Sequence, residues 1–339
     1  SEKGNSLLLC IHEKPTAICK VKPFAKVLQE AELHWRRWFD RVPVVKEKYQ
    51  ATYAYAWWVL ANNLIAPKGN IAVKVNVPSK KSYVGIWLWD NAMHAIALRH
   101  MDPELARNQI RAILIHQLSN GMLRDAIFDE GIASEIDRPF YGKVTKPPVL
   151  AWSALKIHNV TPDLDFFEEI YEPLVRWNTW WLRENDDDKD GIIQYNHPYS
   201  SGLDDSPLWD YGMPVKFPDI NTYLFTQMKS LALMADLLNK KNDAVAWEDR
   251  ANRIVYRMVK DMWDAEHGIF QCLYKENPIP VLTPVNLLPL WISTLPSTIH
   301  DRLIDHLINP NEFWGDIIIP TVARNDPQFN PDQMWRGPI

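Results

Sequence analysis

The spacing of apolar positions divides the chain into a short β region and a long helical region. Two short apolar runs lie within residues 6–22 on either side of Lys14-Pro15, a pattern typical of a β-hairpin. From Pro23 onward, apolar residues recur with a helical period. This period predicts helices at 23–40, 46–66, 90–100, 103–119, 147–158, 163–184, 219–239, 243–263, 284–293 and 297–308. The sequence therefore predicts a hairpin remnant of an N-terminal domain over 1–22 and an all-α domain over 23–339.

Helix starts and loop lengths suggest how these helices are arranged. Asp102-Pro103-Glu104 and Thr161-Pro162-Asp163 each place a capping residue before a proline of the first turn. Long loops follow roughly every second helix, at 67–89, 120–146, 185–218 and 264–283. Paired helices with long loops at one end favour an (α/α)6 toroid, whereas an irregular bundle remains the alternative. A toroid of six pairs needs twelve helices, so we expect this domain to be truncated at its C-terminus.

Composition excludes several classes of protein. The net charge is −5 with no long basic run, which argues against a general nucleic-acid binder. No apolar stretch reaches 18 residues, so we expect no membrane span. Cys10, Cys19 and Cys272 lack metal-site spacing and are interpreted as reduced thiols, in keeping with an expected cytoplasmic location. The 16 tryptophans fit either helix packing or the stacking of indoles on sugar rings.

An aromatic segment followed by an acid forms the first candidate site. Tyr83, Trp87, Trp89 and Asp90 lie within eight residues at a predicted helix start. The rings could stack on a sugar while the carboxylate accepts hydrogen bonds from two hydroxyls, as in a carbohydrate subsite. The alternative is that both tryptophans are core residues and Asp90 is only an N-cap. His94, one turn further on, is interpreted as a packed residue.

A loop with three carboxylates forms the second candidate site. Residues 200–210 contain Gly202, Asp204, Asp205 and Asp210 together with a proline and a tryptophan. Glycoside hydrolysis needs one protonated carboxyl group and a second one as base or nucleophile. Asp204 and Asp205 are adjacent and point in different directions, so at most one is the acid and the other is structural. A capped helix start would also explain this pattern.

A third acidic segment matches the opening of a calcium loop. Asp186, Asp188, Asp190 and Gly191 fit positions 1, 3, 5 and 6, but position 12 is His197 instead of glutamate. A structural calcium ion is one interpretation, and a solvated acidic turn is another. The same residues fit the Asp-Asp-x-x-Asp signature of magnesium-dependent isoprenoid enzymes, so the identity of any metal stays open.

Five segments in order resemble glycoside hydrolase family 63 and its trehalase clan: Gly85-Ile86-Trp87-Leu88-Trp89-Asp90, Asn120-Gly121-Met122, Lys146-Pro147-Pro148-Val149, Ser201-Gly202-Leu203-Asp204 and Trp335-Arg336-Gly337-Pro338. The resemblance covers about residues 46–339 and is strongest to mannosylglycerate and glucosylglycerate hydrolases and to bacterial α-glucosidases. It implies an (α/α)6 barrel and inverting hydrolysis.

The resemblance also implies a role for each matching residue. Asp204 is expected to be the general acid. The other expected substrate-binding residues are Tyr83, Trp87, Trp89, Asp90, Gly202, Trp335 and Arg336, with Lys146 at a position where relatives often carry glutamine. The general base of the family is a glutamate well beyond the last motif, and we expect it beyond residue 339. The isolated chain is then expected to be inactive. If it did cleave a glycoside, Asp125, Asp129 and Glu130 would be the first candidates for the base.

The sequence therefore predicts an inverting α-glycosidase that cleaves an α-glucoside or α-mannoside, such as glucosylglycerate, mannosylglycerate or a short oligosaccharide. A small carbohydrate is the expected partner, with no cofactor for catalysis. The alternatives are a catalytically incomplete carbohydrate-binding fragment and a magnesium-dependent isoprenoid enzyme.

Overall fold

The computed structural model describes residues 22–316 and 318–337, so the hairpin predicted within 6–22 lies outside the described residues except for Lys22. The chain divides into two compact units, Ser1–Asn62 and Asn63–Ile339. In the first unit, α1 (Phe24–Phe39) precedes a 3-10 turn at Glu47–Tyr49 and α2 (Gln50–Asn62). The indole N–H of Trp38 donates to the Trp57 carbonyl at 3.2 Å, which ties the two helices together.

The second unit is mostly helical. Its helices are α3 (Leu88–Leu98), α4 (Pro103–Leu114), α5 (Leu150–His158), α6 (Leu164–Glu184), α7 (Pro218–Leu237), α8 (Lys241–Asp261) and α9 (Ser297–Leu307). The most extensive helix contacts join α7 to α8 and α3 to α4, which are neighbours in the chain. Large side chains such as Trp177 and Trp181 of α6 are buried in the core. Among the described residues, no helix combines the length and the apolar character that crossing a bilayer requires.

Two predicted helix starts have different outcomes. Asp102 caps α4 as predicted, because its carboxylate accepts the Leu105 N–H at 3.0 Å and Pro103 occupies the first turn. For α6, the predicted capping residue Thr161 is wrong by two residues, although the helix predicted from residue 163 begins at Leu164. Asp163 is the N-cap of α6 and accepts the Phe166 N–H at 2.9 Å. A carboxylate is both a good capping acceptor and a favourable charge at the positive end of a helix.

The helix predicted at 284–293 is wrong. The structure has two 3-10 turns there, Pro284–Asn286 and Leu288–Trp291. The side chain of Asn286 accepts the Thr283 N–H at 2.8 Å and donates to the Phe270 carbonyl at 2.7 Å. Such local side-chain bonds compete with helix continuation, and Pro289 lacks the N–H that a continuous helix would use.

The long loops contain strands of two residues each, too short to show an alternating sequence pattern. These are β1 (Leu64–Ile65), β2 (Val75–Asn76), β3 (Ile86–Trp87), β4 (Ala126–Ile127), β5 (Ile132–Ala133), β6 (Glu135–Ile136), β7 (Gly142–Lys143), β8 (Gln194–Tyr195), β9 (Val215–Lys216), β10 (Trp263–Asp264), β11 (Ile269–Phe270), β12 (Leu273–Tyr274) and β13 (Asn277–Pro278). They form antiparallel sheets, including one of order β3-β4-β5 and one of order β13-β12-β9-β8. The β3-β4-β5 sheet positions the candidate site.

Candidate active site

The aromatic segment is fixed by the β3-β4-β5 sheet. Trp87 pairs with Ala126 in the antiparallel register, and the Leu88 N–H donates to the Asp125 carbonyl at 3.1 Å. The Tyr83 and Trp87 rings meet edge to face with centroids 5.1 Å apart. Tyr83 remains exposed while Trp87 is half-buried, so the pair presents an aromatic surface at the mouth of the site.

Asp90 is not the N-cap that the alternative interpretation proposed. Helix α3 begins at Leu88 with Trp87 at the N-cap position, so Asp90 lies inside the first turn. Burial raises the pKa of Asp90, and Lys146 acts in the opposite direction. His94, one turn further along α3, is half-buried, and desolvation lowers its pKa to about 4. His94 is therefore neutral at pH 7, in keeping with its interpretation as a packed residue.

Gly202 brings the acidic loop against Trp89. Its φ of +77° is a left-handed conformation, and a Cβ there would lie 2.2 Å from Cζ2 of Trp89. Only glycine accepts both the conformation and the close approach. The loop is fixed further because the Ser201 hydroxyl donates to the Pro198 carbonyl at 2.7 Å and accepts the Leu203 N–H at 2.9 Å. The aromatic segment and the acidic loop therefore meet at one place.

Asp204 and Asp205 have different surroundings, as their adjacency predicted. Asp205 accepts the Gln333 side-chain amide at 2.7 Å and is paired with Arg336 at 3.4 Å. Within the described part of the chain, Asp204 makes no hydrogen bond or ion pair. Its carboxyl group has solvent-accessible surface, yet desolvation by the surrounding protein raises its pKa, with Lys146 and His197 acting in the opposite direction. An accessible, unpaired carboxyl group with a raised pKa is suited to proton donation.

The capped start predicted as an alternative for this loop is present, but it does not use Asp204. Ser206 caps a 3-10 turn at Pro207–Tyr211 and accepts the Leu208 N–H at 3.4 Å. The indole of Trp209 donates to the Leu203 carbonyl at 2.6 Å. The cap and this indole bond together hold the segment on both sides of Asp204 without engaging its carboxyl group.

The last motif also reaches the acidic loop. The Arg336 guanidinium forms a bidentate pair with Asp210 at 2.6 and 2.8 Å and donates to the Asp205 carbonyl at 3.1 Å. Trp335 is half-buried with a φ of +65°. The guanidinium is thus engaged by protein groups, and direct sugar contacts of Trp335 and Arg336 stay a prediction.

Lys146 is buried and paired. Its ammonium lies 2.9 Å from Oδ1 of Asp125 and donates to the Tyr199 carbonyl. Sequence reasoning named Asp125 only as one of three places to look for a base, and it overlooked His197, whose charge would act on Asp204. The one sequence signal for Asp125 was the lysine at position 146, because a buried lysine requires a carboxylate partner.

The acidic segment at 186–190 is a compact cluster. Oxygens of Asp186, Asp188 and Asp190 lie within 4.8 Å of one another. The Lys216 ammonium lies 2.6 Å from Asp188, 2.9 Å from Asp190 and 2.7 Å from Glu276. A cation of the chain itself thus offsets part of the negative charge of this cluster, and calcium binding stays a prediction.

Comparison with known proteins places the whole arrangement in one family. Residues 83–339 match the family model described as the mannosylglycerate hydrolase MGH1-like glycoside hydrolase domain. The mannosylglycerate hydrolase of Thermus thermophilus is 23% identical over an alignment of 337 positions. The alignment covers 78% of this chain and 80% of that protein.

Solved structures share the fold. A family 63 mannosylglycerate hydrolase from Thermus thermophilus, in complex with Tris and D-glycerate, superposes with a TM-score of 0.71 at 22% identity and covers 84% of this chain and 83% of that one. The neutral trehalase Nth1 of Saccharomyces cerevisiae superposes with a TM-score of 0.62 at 14% identity. The match covers 78% of this chain and 58% of the trehalase chain. The chain belongs to the mannosylglycerate hydrolase MGH1-like domains of glycoside hydrolase family 63 and is a glycoside hydrolase.

Proposed function

We propose that this protein is an inverting α-glycosidase that cleaves the α-mannoside or α-glucoside of glycerate, with Asp204 as general acid. The observation that carries the proposal is the contact of Trp89 with Gly202, two residues before Asp204. A sugar stacked on the aromatic segment would therefore lie close to the only carboxyl group of this loop that has no hydrogen bond or ion pair among the described residues.

In the proposed mechanism, Asp204 protonates the oxygen of the leaving group. Desolvation by the surrounding protein supports this role because it raises the pKa of Asp204, although the residue is exposed, and so keeps a larger fraction protonated near neutral pH. Asp205 is unsuited to the role because Arg336 and Gln333 hold its carboxylate. The base that activates water is proposed, from the family resemblance, to be a glutamate after the Trp335-Arg336 motif.

The proposed sugar subsite consists of the aromatic pair Tyr83 and Trp87, the half-buried Trp89, and Asp90 on the first turn of α3. The carboxylate of Asp90 can accept hydrogen bonds from two vicinal hydroxyls. Relatives support glycerate as the aglycone, since several of the matched proteins are mannosylglycerate hydrolases and one of these was solved in complex with D-glycerate.

The proposed architecture is an (α/α)6 toroid. The tight pairs α3–α4 and α7–α8 support it, as does the structural similarity to trehalase. In such a toroid the loops with β3-β4-β5 and the acidic loop would lie at one end of the helices and build the site there. The alternative of an isoprenoid enzyme loses its basis because the chain is a glycoside hydrolase and because Lys216 already pairs with Asp188 and Asp190.

The stereochemistry of the first turnovers tests the proposal. NMR spectra of the natural full-length protein acting on α-mannosylglycerate and on α-glucosylglycerate should show the β-sugar before mutarotation, because water attacks opposite the leaving group. The variant Asp204→Asn is the matched control and should release sugar at least about 100-fold more slowly than wild type. Initial release of the α-sugar would exclude an inverting mechanism, and a near-normal rate of the Asp204→Asn variant would exclude the assigned acid.

A further inference from the structure

We propose that Lys146 is a positioning residue for Asp204: its ammonium joins the sheet of the aromatic segment to the turn that carries the acidic loop. This inference rests on the proposed role of Asp204. It differs from the sugar contact that the family resemblance implies for position 146, since it assigns Lys146 to other groups of the protein.

The first half of the link is an ion pair. The Lys146 and Asp125 side chains are 7% and 6% exposed, and Nζ lies 2.9 Å from Oδ1. The backbone of Asp125 is fixed on both sides, because its N–H donates to the Ala133 carbonyl at 3.0 Å and its carbonyl accepts the Leu88 N–H at 3.1 Å. The backbone of Asp125 therefore has a defined position beside Leu88, the residue between Trp87 and Trp89.

The second half of the link reaches the acidic loop. The Lys146 ammonium donates to the carbonyl of Tyr199, in the 3-10 turn Pro198–Ser200. The neighbouring Thr145 N–H donates to the Ser200 hydroxyl at 3.4 Å, so two consecutive residues engage the same turn. Ser201 and Gly202 follow this turn directly, and Asp204 comes two residues later. The ammonium therefore joins the two elements by an ion pair with Asp125 on one side and a hydrogen bond to the Tyr199 carbonyl on the other.

Lys146 also acts on Asp204 through its positive charge. Lys146 faces Asp204 from another element and favours its charged form, as His197 would if its ring were protonated. His197 is neutral in its observed bonding, since Nδ1 accepts the Tyr199 N–H at 3.2 Å and Nε2 therefore carries the proton toward the Phe140 carbonyl at 3.2 Å.

The remaining charges near Asp204 are carboxylates or are already paired. Asp125 and Asp90 form one electrostatic group with Lys146, and Asp204 in turn raises the pKa of Asp125. On the loop itself, Asp205 and Asp210 are both paired with Arg336. Desolvation raises the pKa of Asp204. Among the described residues, Lys146 is the buried cation that lowers it.

Carboxyl titration in the natural full-length protein tests this link. The carbon-13 NMR signal of the Asp204 carboxyl, assigned by its loss in Asp204→Asn, is followed against pH in wild type and in Lys146→Met, Lys146→Gln and Lys146→Arg. Loss of the positive charge should raise the pKa of Asp204 by about 1 in the Met and Gln variants. Arginine keeps the charge and should leave the titration within a few tenths of wild type. Lys143→Met removes an exposed lysine of the same segment and should change nothing.

The direction of the change in the pKa of Asp204 follows from electrostatics and does not depend on whether Asp125 is charged. Without the ammonium, Asp125 either keeps its charge, which raises the pKa of Asp204 further, or takes up a proton and loses its influence. In turnover of a natural glycoside, the alkaline limb of kcat/KM should move to higher pH by the same amount, because the acid must be protonated.

An unchanged Asp204 titration in both Lys146→Met and Lys146→Gln would overturn the proposal, even if thermal stability or KM changed. If Lys146→Met does not fold, the comparison of the Asp204 titration in Lys146→Gln with that in Lys146→Arg decides in the same way. The NMR measurement needs no turnover. A protein that cleaves no glycoside would therefore refute the proposed function while the effect of Lys146 on Asp204 remained measurable.

Discussion

Replacing Gly202 by alanine should damage both stability and sugar binding. The added Cβ would lie 2.2 Å from Cζ2 and 2.6 Å from Cη2 of Trp89. A left-handed backbone costs alanine about 1–2 kcal/mol, and moving a packed ring costs about 1–3 kcal/mol more. The free energy of unfolding should therefore fall by roughly 2–5 kcal/mol.

Thermal melts and sugar binding measure this effect. For a unit of this size, a loss of about 2 kcal/mol lowers Tm by about 3 °C. Titration with mannose or glucose, followed by tryptophan fluorescence, should show weaker binding because Trp89 has to move away from the loop. Gly131→Ala is the matched control, since no atom lies within 4 Å of its added Cβ. A Gly202→Ala variant that matched Gly131→Ala in Tm and in sugar affinity would refute the contact between Trp89 and the acidic loop.

Two buried charges elsewhere in the second unit give further measurable effects. Desolvation raises the pKa of Asp219 to about 7, so the folded state binds more protons than the unfolded state between about pH 4 and 7, and stability falls as pH rises through this range. Asp219→Asn should remove the decline between pH 5 and 8, about 3 kcal/mol, as measured by urea melts at these two pH values, and an unchanged pH profile would contradict the assignment. Lys216→Met leaves Asp188, Asp190 and Glu276 without their shared cation and should lower stability by about 2–4 kcal/mol, with partial recovery in about 1 mM calcium. The Lys229→Met variant, at a partly exposed pair with Glu248, should lose less than about 1 kcal/mol, and equal losses would contradict the importance of the Lys216 cluster.

The sequence predicted most helices because their apolar faces repeat over several turns. Helix α6, for example, was predicted at 163–184 and extends over Leu164–Glu184. Predicted boundaries were less accurate where a local bond decided the outcome. Residues 284–293 have helical spacing, but the Thr283–Asn286 bonds and Pro289 divide them into two 3-10 turns.

The candidate site was predictable to the extent that its residues lie in short contiguous motifs. Trp89, Asp90, Gly202 and Asp204 were all identified in this way. The contacts between motifs were not predictable, because strands of two residues leave no periodic pattern and the partner of Lys146 lies 21 positions away in sequence. Likewise, nothing in the spacing of residues 333–336 indicates that Arg336 would pair with Asp210.

The leaving-group dependence of Asp204→Asn tests the central claim most directly. The amide has the same shape as the acid but cannot donate the proton, so hydrolysis of the natural glycoside by the full-length protein should fall by about 10²–10⁴-fold. The rate on the corresponding glycosyl fluoride, which needs little protonation, should change far less. Asp205→Asn, at the neighbouring carboxylate held by Arg336 and Gln333, should retain most of its activity on both substrates. A near-normal rate of Asp204→Asn on the natural glycoside, or an equal loss on both substrates, would contradict the role of Asp204 as general acid.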